Sequence, residues 1–261
     1  MGSHQLTLRE RQLEYLRILK ELDRYCTENS LRYYLACGTL IGAVRHKGFI
    51  PWDDDLDVFM PRPDFMKLNA EYKSEDFSFH TLYNDKAHTY NFGRFCSGNV
   101  YTPFKNQRSF TFGIDVYVIN GAPSIRKEQI RHMDETFIHI KRKAMWSRIR
   151  NNLVKRHLWP FKTLNFPLMR CELLKAEAEF AKYDYETCDY IWPYGGGHLN
   201  MKKENYGVPV RLQFEDGMFM APEHYHEVLT LAYGDYMQLP SEEKRKPYHT
   251  GTEYYWVDEK C

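Results

Sequence analysis

The chain has 261 residues, 43% of them hydrophobic and 16% aromatic, with 36 Lys and Arg against 35 Asp and Glu. That is enough to bury one large core, or a core and a smaller lobe; a net charge of +1 says nothing by itself about polyanions, and nucleic acid is not an expected partner. No apolar run approaches the ~18 residues of a spanning helix, no signal peptide is visible, and the six cysteines form neither a C-x-x-C pair nor a regular spacing, so free thiols in a reducing cytoplasm are expected rather than zinc or disulfides.

The first predicted element is a helix. Thr7 and Glu10 form a capping-box pattern, Leu13, Leu16, Leu19, Leu22 and Cys26 repeat on one face, and the helix ends near Asn29. Tyr33 to Cys37 reads as a strand, Gly38-Thr39 breaks it, and Leu40 to Val44 reads as a short helix. Gly48 and Pro51 make a turn. A carboxylate-rich strand is expected over Asp54 to Met60, closed by Pro61 and Pro63, with a helix opening at Pro63-Asp64.

Alternate side chains of an extended strand share a face. Asp53, Asp55 and Asp57 then point one way, and Asp54, Leu56 and Val58 the other. Carboxylates at i and i+2 stand roughly 7 Å apart and repel by about 2–3 kcal/mol at an intermediate dielectric. A hard divalent cation relieves such a cluster, and oxygen-only ligands favour Mg2+ or Mn2+. A solvated acidic turn is the plain alternative, against which the apolar run Leu56, Val58, Phe59, Met60 argues.

Candidate strands follow at Phe77 to Leu82, Tyr90 to Cys96 and Phe110 to Ile119. In the last, Asp115 is the one charge among core-like residues. Lone charges are seldom buried without a partner, so Asp115 is either salt-bridged or capped, or a further metal ligand beside the first acidic strand. From Lys127 to Leu174 the chain reads as helical and basic, with no Asp or Glu from Thr136 to Cys171 and with aromatics interleaved. That composition fits contact with anionic lipid headgroups, docking of a polyphosphate-bearing substrate, or a solvated face over a core. Gly195-Gly196-Gly197 is a loop; Leu212 to Glu215 and Met218 to Ala221 flank an Asp216-Gly217 hairpin turn; a helix from Pro222-Glu223 to Tyr233 stops at Gly234. The division expected is a core over residues 5–125, a basic helical insertion over 126–190, and an α+β portion over 191–261 that completes the core. The fold class is α+β.

The order strand, Gly-Thr turn, helix, D-x-D strand and later strand with a lone Asp resembles the nucleotidyltransferase superfold, a mixed β-sheet flanked by helices. Gly38-Thr39-Leu40-Ile41-Gly42-Ala43-Val44-Arg45-His46, Ile50-Pro51-Trp52-Asp53-Asp54-Asp55-Leu56-Asp57, and Tyr233-Gly234-Asp235-Tyr236-Met237 with Leu239-Pro240 resemble, more narrowly, the LicD family, which includes fukutin-type ribitol-phosphate transferases. The zinc loop of some fukutin-type members has no counterpart in these scattered cysteines. The resemblance implies a metal-dependent transferase that moves a substituted phosphate from a CDP-alcohol, typically CDP-choline in bacterial members, to a sugar hydroxyl of a teichoic acid, lipopolysaccharide or other lipid-linked glycan precursor, releasing CMP. The cysteine usage and the basic, aromatic segment over 127–174, not the resemblance, give the expected place: the cytoplasm, with peripheral contact at the inner membrane face if that segment meets lipid.

Such chemistry assigns Asp55, Asp57 and Asp115 as catalytic carboxylates, with Asp53 joining them around Mg2+ or Mn2+. Gly38 and Thr39 offer backbone N–H groups at a helix start, which suits an anion but is equally met by a plain N-capping Thr. Arg45, Lys47 and Arg94 are candidate phosphate clamps, each of which could instead be a surface charge. Asp115 is the nominated base, His46 a weaker rival. Trp52 is the first candidate wall for a choline headgroup. Two other readings stand: nucleotidyl transfer with pyrophosphate leaving, and a non-catalytic glycan- or membrane-binding module.

Overall fold

The computed structural model describes residues 4–101, 112–155, 165–193, 201–249 and 253–256. It has two compact units, one of Met1–His80, Phe92–Val118 and Glu204–Cys261, the other of Thr81–Asn91 and Ile119–Lys203.

In the first unit, α1 (Leu8–Glu28) starts as the capping box requires: Thr7 accepts from the Glu10 N–H and the Glu10 carboxylate takes the Thr7 N–H. Leu16, Leu19, Leu22 and Cys26 are buried, but Leu13 is 48% exposed. The inward face is shared with polar Gln12 and Glu14. Gln12 Nε2 donates to the Asp53 carbonyl at 2.9 Å, and Glu14 binds Arg17 and Ser97. Those buried hydrogen bonds rotate the helix away from its purely apolar register.

The sheet runs β1 (Tyr34–Leu35), β2 (Asp57–Pro61), β6 (Gly113–Ala122, through Val118 in this unit), β4 (Gly93–Ser97) and β3 (Phe77–His80). β1 pairs antiparallel with β2, Tyr34 opposite Phe59. β4 pairs antiparallel with β6 so that Arg94 stands opposite Asp115. Between strands lie α2 (Cys37–Arg45), α3 (Arg62–Glu71) and a short β5 (Val100–Tyr101). Tyr33, Tyr34, Val58, Met60, Phe95, Ile114 and Val116 form the buried sheet faces.

In the second unit, the end of β6 pairs with β7 (Tyr190–Pro193), which pairs with β8 (Met201–Lys202). α4 (Arg126–Lys155) packs on α5 (Asn165–Phe180). Ala122, Met133, Ala176, Phe180 and Trp192 make its core. Among the described residues no helix is long and apolar enough to cross a membrane. The expected loop at 195–197, and Phe110 and Thr111 of the expected strand, lie outside the described residues.

The first unit closes with the hairpin β9 (Val210–Phe214) and β10 (Gly217–Ala221), α6 (Tyr225–Tyr233) and a short β11 (Tyr255–Trp256) paired with β5. Gly234 caps α6 at φ 68°, a conformation open to glycine. At the hairpin turn Glu215 salt-bridges Arg9 at 2.5 Å, accepts the Phe49 N–H at 3.1 Å and donates its own N–H to the Lys47 carbonyl at 2.7 Å. The turn between α2 and the acidic segment is thereby held in place.

Candidate active site

The acidic segment is extended, but the ladder begins only at Asp57, three residues later than the sequence pattern suggests. Long-range partners take up its backbone and side chains first. The Asp53 N–H donates to Ile50 O at 2.9 Å, the Asp53 carbonyl is held by Gln12, and Leu56 O accepts the Asp115 N–H at 3.1 Å. The expected alternation survives. Asp54 turns inward and is buried, where its carboxylate accepts the N–H groups of Tyr248 at 3.1 Å and His249 at 3.0 Å. Arg11 lies 3.9 Å from it.

Asp53, Asp55 and Asp57 face the other way and feel one another. Burial, then the charge of Asp55 and a hydrogen bond to it, push the Asp53 carboxyl up to about 7. Asp55 is raised, first by burial, against the opposing pull of His249. Asp57 is raised well above the carboxylate range by burial and then by Asp55, Asp115 and Asp53. Asp115 joins them from β6; burial raises it, while Arg94 pulls the other way through a 2.8 Å ion pair. Four carboxylates, three from the acidic segment that leads into β2 and one from β6, thus share one electrostatic environment, each disfavoured as an anion by burial and most by one another.

These donors suit a hard divalent cation: all are oxygens, and a hydrogen bond between Asp53 and Asp55 does part of what a cation would do. Among the described residues no three His, Cys, Asp or Glu side chains stand at finished ligand spacing. The carboxylates are gathered without being arranged as a closed cage, and Arg94 occupies one oxygen of Asp115.

α2 begins at Cys37, with Ala36 at the N-cap and no side-chain cap. Thr39 is therefore not the capping residue; its Oγ1 accepts the Asp57 N–H at 3.0 Å and fixes the start of β2. A Cβ at Gly38 would sit 2.7 Å from Asp53 Oδ2, so glycine is needed for the Asp53 carboxylate to approach the helix start. Arg45 lines a pocket of about 370 Å3 with Trp52, Tyr233, Asp235, Tyr236 and Gln238. Its Nη1 donates to the carbonyls of Tyr236 at 2.6 Å and Gln238 at 3.4 Å, and burial lowers its pKa without discharging it. Trp52 meets the His46 ring edge-on and has the Arg245 guanidinium 5.8 Å from its ring centre. His46 is lowered by burial and then by Arg45. Lys47 is exposed on the turn after α2, with a φ of 59°.

Two residues escaped sequence reasoning. His249 Nδ1 lies 3.3 Å from Asp54 and 3.7 Å from Asp55; no local signal places a tail histidine on a loop nearly two hundred positions earlier. Tyr233 lines the pocket and hydrogen-bonds Cys37, and Asp57 and Asp53 add to the rise of its pKa that burial begins. Its position just before Gly234 at the end of α6 was the available signal.

A mixed α+β core with carboxylates from neighbouring strands behind a Gly-Thr turn is a nucleotidyltransferase-like domain. The family model described as LicD/FKTN/FKRP, nucleotidyltransferase domain, matches residues 30–173. The chain is 34% identical to the lipopolysaccharide cholinephosphotransferase LicD of Haemophilus influenzae over 95% of its own length and 98% of the relative's. It is also 38% identical to an uncharacterized protein of Rickettsia typhi, over 23% of this chain and 21% of that one. The chain belongs to the LicD family.

Proposed function

We propose that this protein is a phosphocholine transferase that takes its group from CDP-choline, adds it to a sugar hydroxyl of a lipid-linked cell-surface glycan, and releases CMP. The observation that carries the reading is the group of four partly buried carboxylates, Asp53, Asp55, Asp57 and Asp115, raised by burial and most of them by one another. The choline and glycan parts rest on the Haemophilus relative, whose name gives a lipopolysaccharide as acceptor; that favours such a glycan over a teichoic acid.

Asp53, Asp55, Asp57 and Asp115 would hold Mg2+ or Mn2+. When bound, the cation would neutralise phosphate charge and make the phosphorus a better electrophile. Asp115 takes the proton of the acceptor hydroxyl as its oxygen attacks the phosphorus of the phosphocholine group. The bond from that phosphorus to the CMP oxygen breaks, and CMP leaves with its phosphate. Arg94 orients Asp115 and favours its ionised form. Arg45 donates to two backbone carbonyls and to His46 Nδ1, makes no ion pair among the described residues, and suits contact with a donor phosphate. Trp52 is proposed as one choline wall, which requires Arg245 to yield its place over the ring.

The test is incubation with Mg2+, CDP-choline and a lipopolysaccharide-type acceptor, followed by mass spectrometry. Equal CMP and phosphocholine-modified acceptor are expected. Pyrophosphate release from CTP without CMP formation would select nucleotidyl transfer instead, and no turnover with any CDP-alcohol would leave a binding module.

A further inference from the structure

We infer that the second unit docks on an anionic lipid surface through one face of α4. This helix carries two apolar stripes. Met133, Phe137 and Ile140 pack with Trp192 and Phe180 in the core of the unit. Ile138, Met145 and Ile149 are 45%, 47% and 37% exposed. At 100° per residue they fall within about 40° of one another, centred about 130° around the helix from the core stripe. Among the described residues, packing within the unit accounts for the first stripe and not for the second.

From Lys141 onward the second stripe is bordered by exposed cations, Lys141 and Arg148 along one side and Arg142 along the other, while exposed Asp134 lies on the same face one turn before Ile138. Among the described residues none of the three takes part in an ion pair. The contrast lies within the same helix: near its start Glu135 is met by Arg131 and Lys182, whereas no acidic residue occurs from Thr136 to Cys171. An apolar centre with a cationic border matches the depth profile of an anionic bilayer surface. The apolar side chains reach the acyl boundary while the long basic side chains extend to the phosphates. Two copies meeting through this face would bring like charges together, and a purely polyanionic partner would leave the apolar stripe in water.

The test is co-sedimentation of the full chain at moderate salt with vesicles of phosphatidylcholine alone, or of phosphatidylcholine with about one-third phosphatidylglycerol. Binding is expected only to the second. Replacing the cations together (Lys141→Gln, Arg142→Gln, Arg148→Gln) should lower partitioning about 100-fold, at roughly fivefold per charge. Replacing the stripe (Ile138→Ser, Met145→Ser, Ile149→Ser) should lower it with the circular dichroism and melting unchanged. The cation variant touches no core residue, so it tests the assignment even if the serine variant melts early. Failure of the wild type to bind anionic vesicles, or binding that neither variant weakens, overturns the inference. So does a concentration-dependent dimer abolished by the serine variant, which would give the face to a second copy. None of these readouts depends on catalysis.

Discussion

Arg94 Nε and Asp115 Oδ1 are 2.8 Å apart, directly opposite one another on β4 and β6. The guanidinium is the larger of two influences, ahead of His249, that hold down a carboxyl that burial drives up. Arg94→Gln removes it, so Asp115 ionises only at higher pH and the acid limb of the transfer rate should move to higher pH. Replacing a charged hydrogen bond with a neutral one should also cost about 1–3 kcal/mol of stability. A pH–rate profile of the variant identical to that of the wild type would remove Asp115 as the base.

Asp57→Asn should separate stability from activity. The amide keeps the shape and cannot ionise, so at alkaline pH, where the wild-type carboxyl must take a charge beside its acidic neighbours, the metal-free variant should melt higher than the wild type, by an amount on the order of 1–3 kcal/mol. Transfer should fall at least 100-fold, and Mg2+ or Mn2+, which should raise the melting temperature of the wild type, should no longer do so. A variant that melts lower and still responds to Mg2+ would contradict the role given to Asp57.

The raised Asp53 carboxyl makes a statement about pH. Its value in the fold is about 7, against about 4 in an unfolded chain, so the folded state binds more protons between those limits. Its contribution is fully present below the unfolded value and is lost as pH rises through 7. In chelator-treated protein the melting temperature should therefore fall from pH 5 to pH 8, and added Mg2+ should flatten the trend. Thermal melts across that range decide the matter.

Thr39 offers a test of positioning. Thr39→Val is nearly isosteric but leaves the Asp57 N–H without its 3.0 Å acceptor, at a cost of about 1–3 kcal/mol. Thr39→Ser should restore both melting temperature and transfer. If valine behaves like serine in both assays, the hydroxyl does not position Asp57.

The alternation of carboxylates was legible because a strand's facing rule is local; it placed Asp53, Asp55 and Asp57 on one side and buried Asp54 on the other. Asp115 stood out because a lone charge amid Ile114, Val116 and Val118 needs a partner. That the partner would be Arg94, rather than Arg94 being left for a phosphate, depends on strand register, which no local pattern encodes. The late start of β2 and the outward turn of Leu13 have the same origin: buried Gln12 reaches forward to Asp53. His249 reaches Asp55 only through the path of the tail.

The inner carboxylate of Asp54 is satisfied by the N–H groups of Tyr248 and His249, residues nearly two hundred positions further along the chain. During synthesis Gln12 and Thr39 can hold the acidic segment early, but the inner carboxylate of Asp54 goes unsatisfied until that distant segment arrives. A product shortened before residue 248 would then carry every proposed catalytic carboxylate and still lack the two N–H groups that hold Asp54.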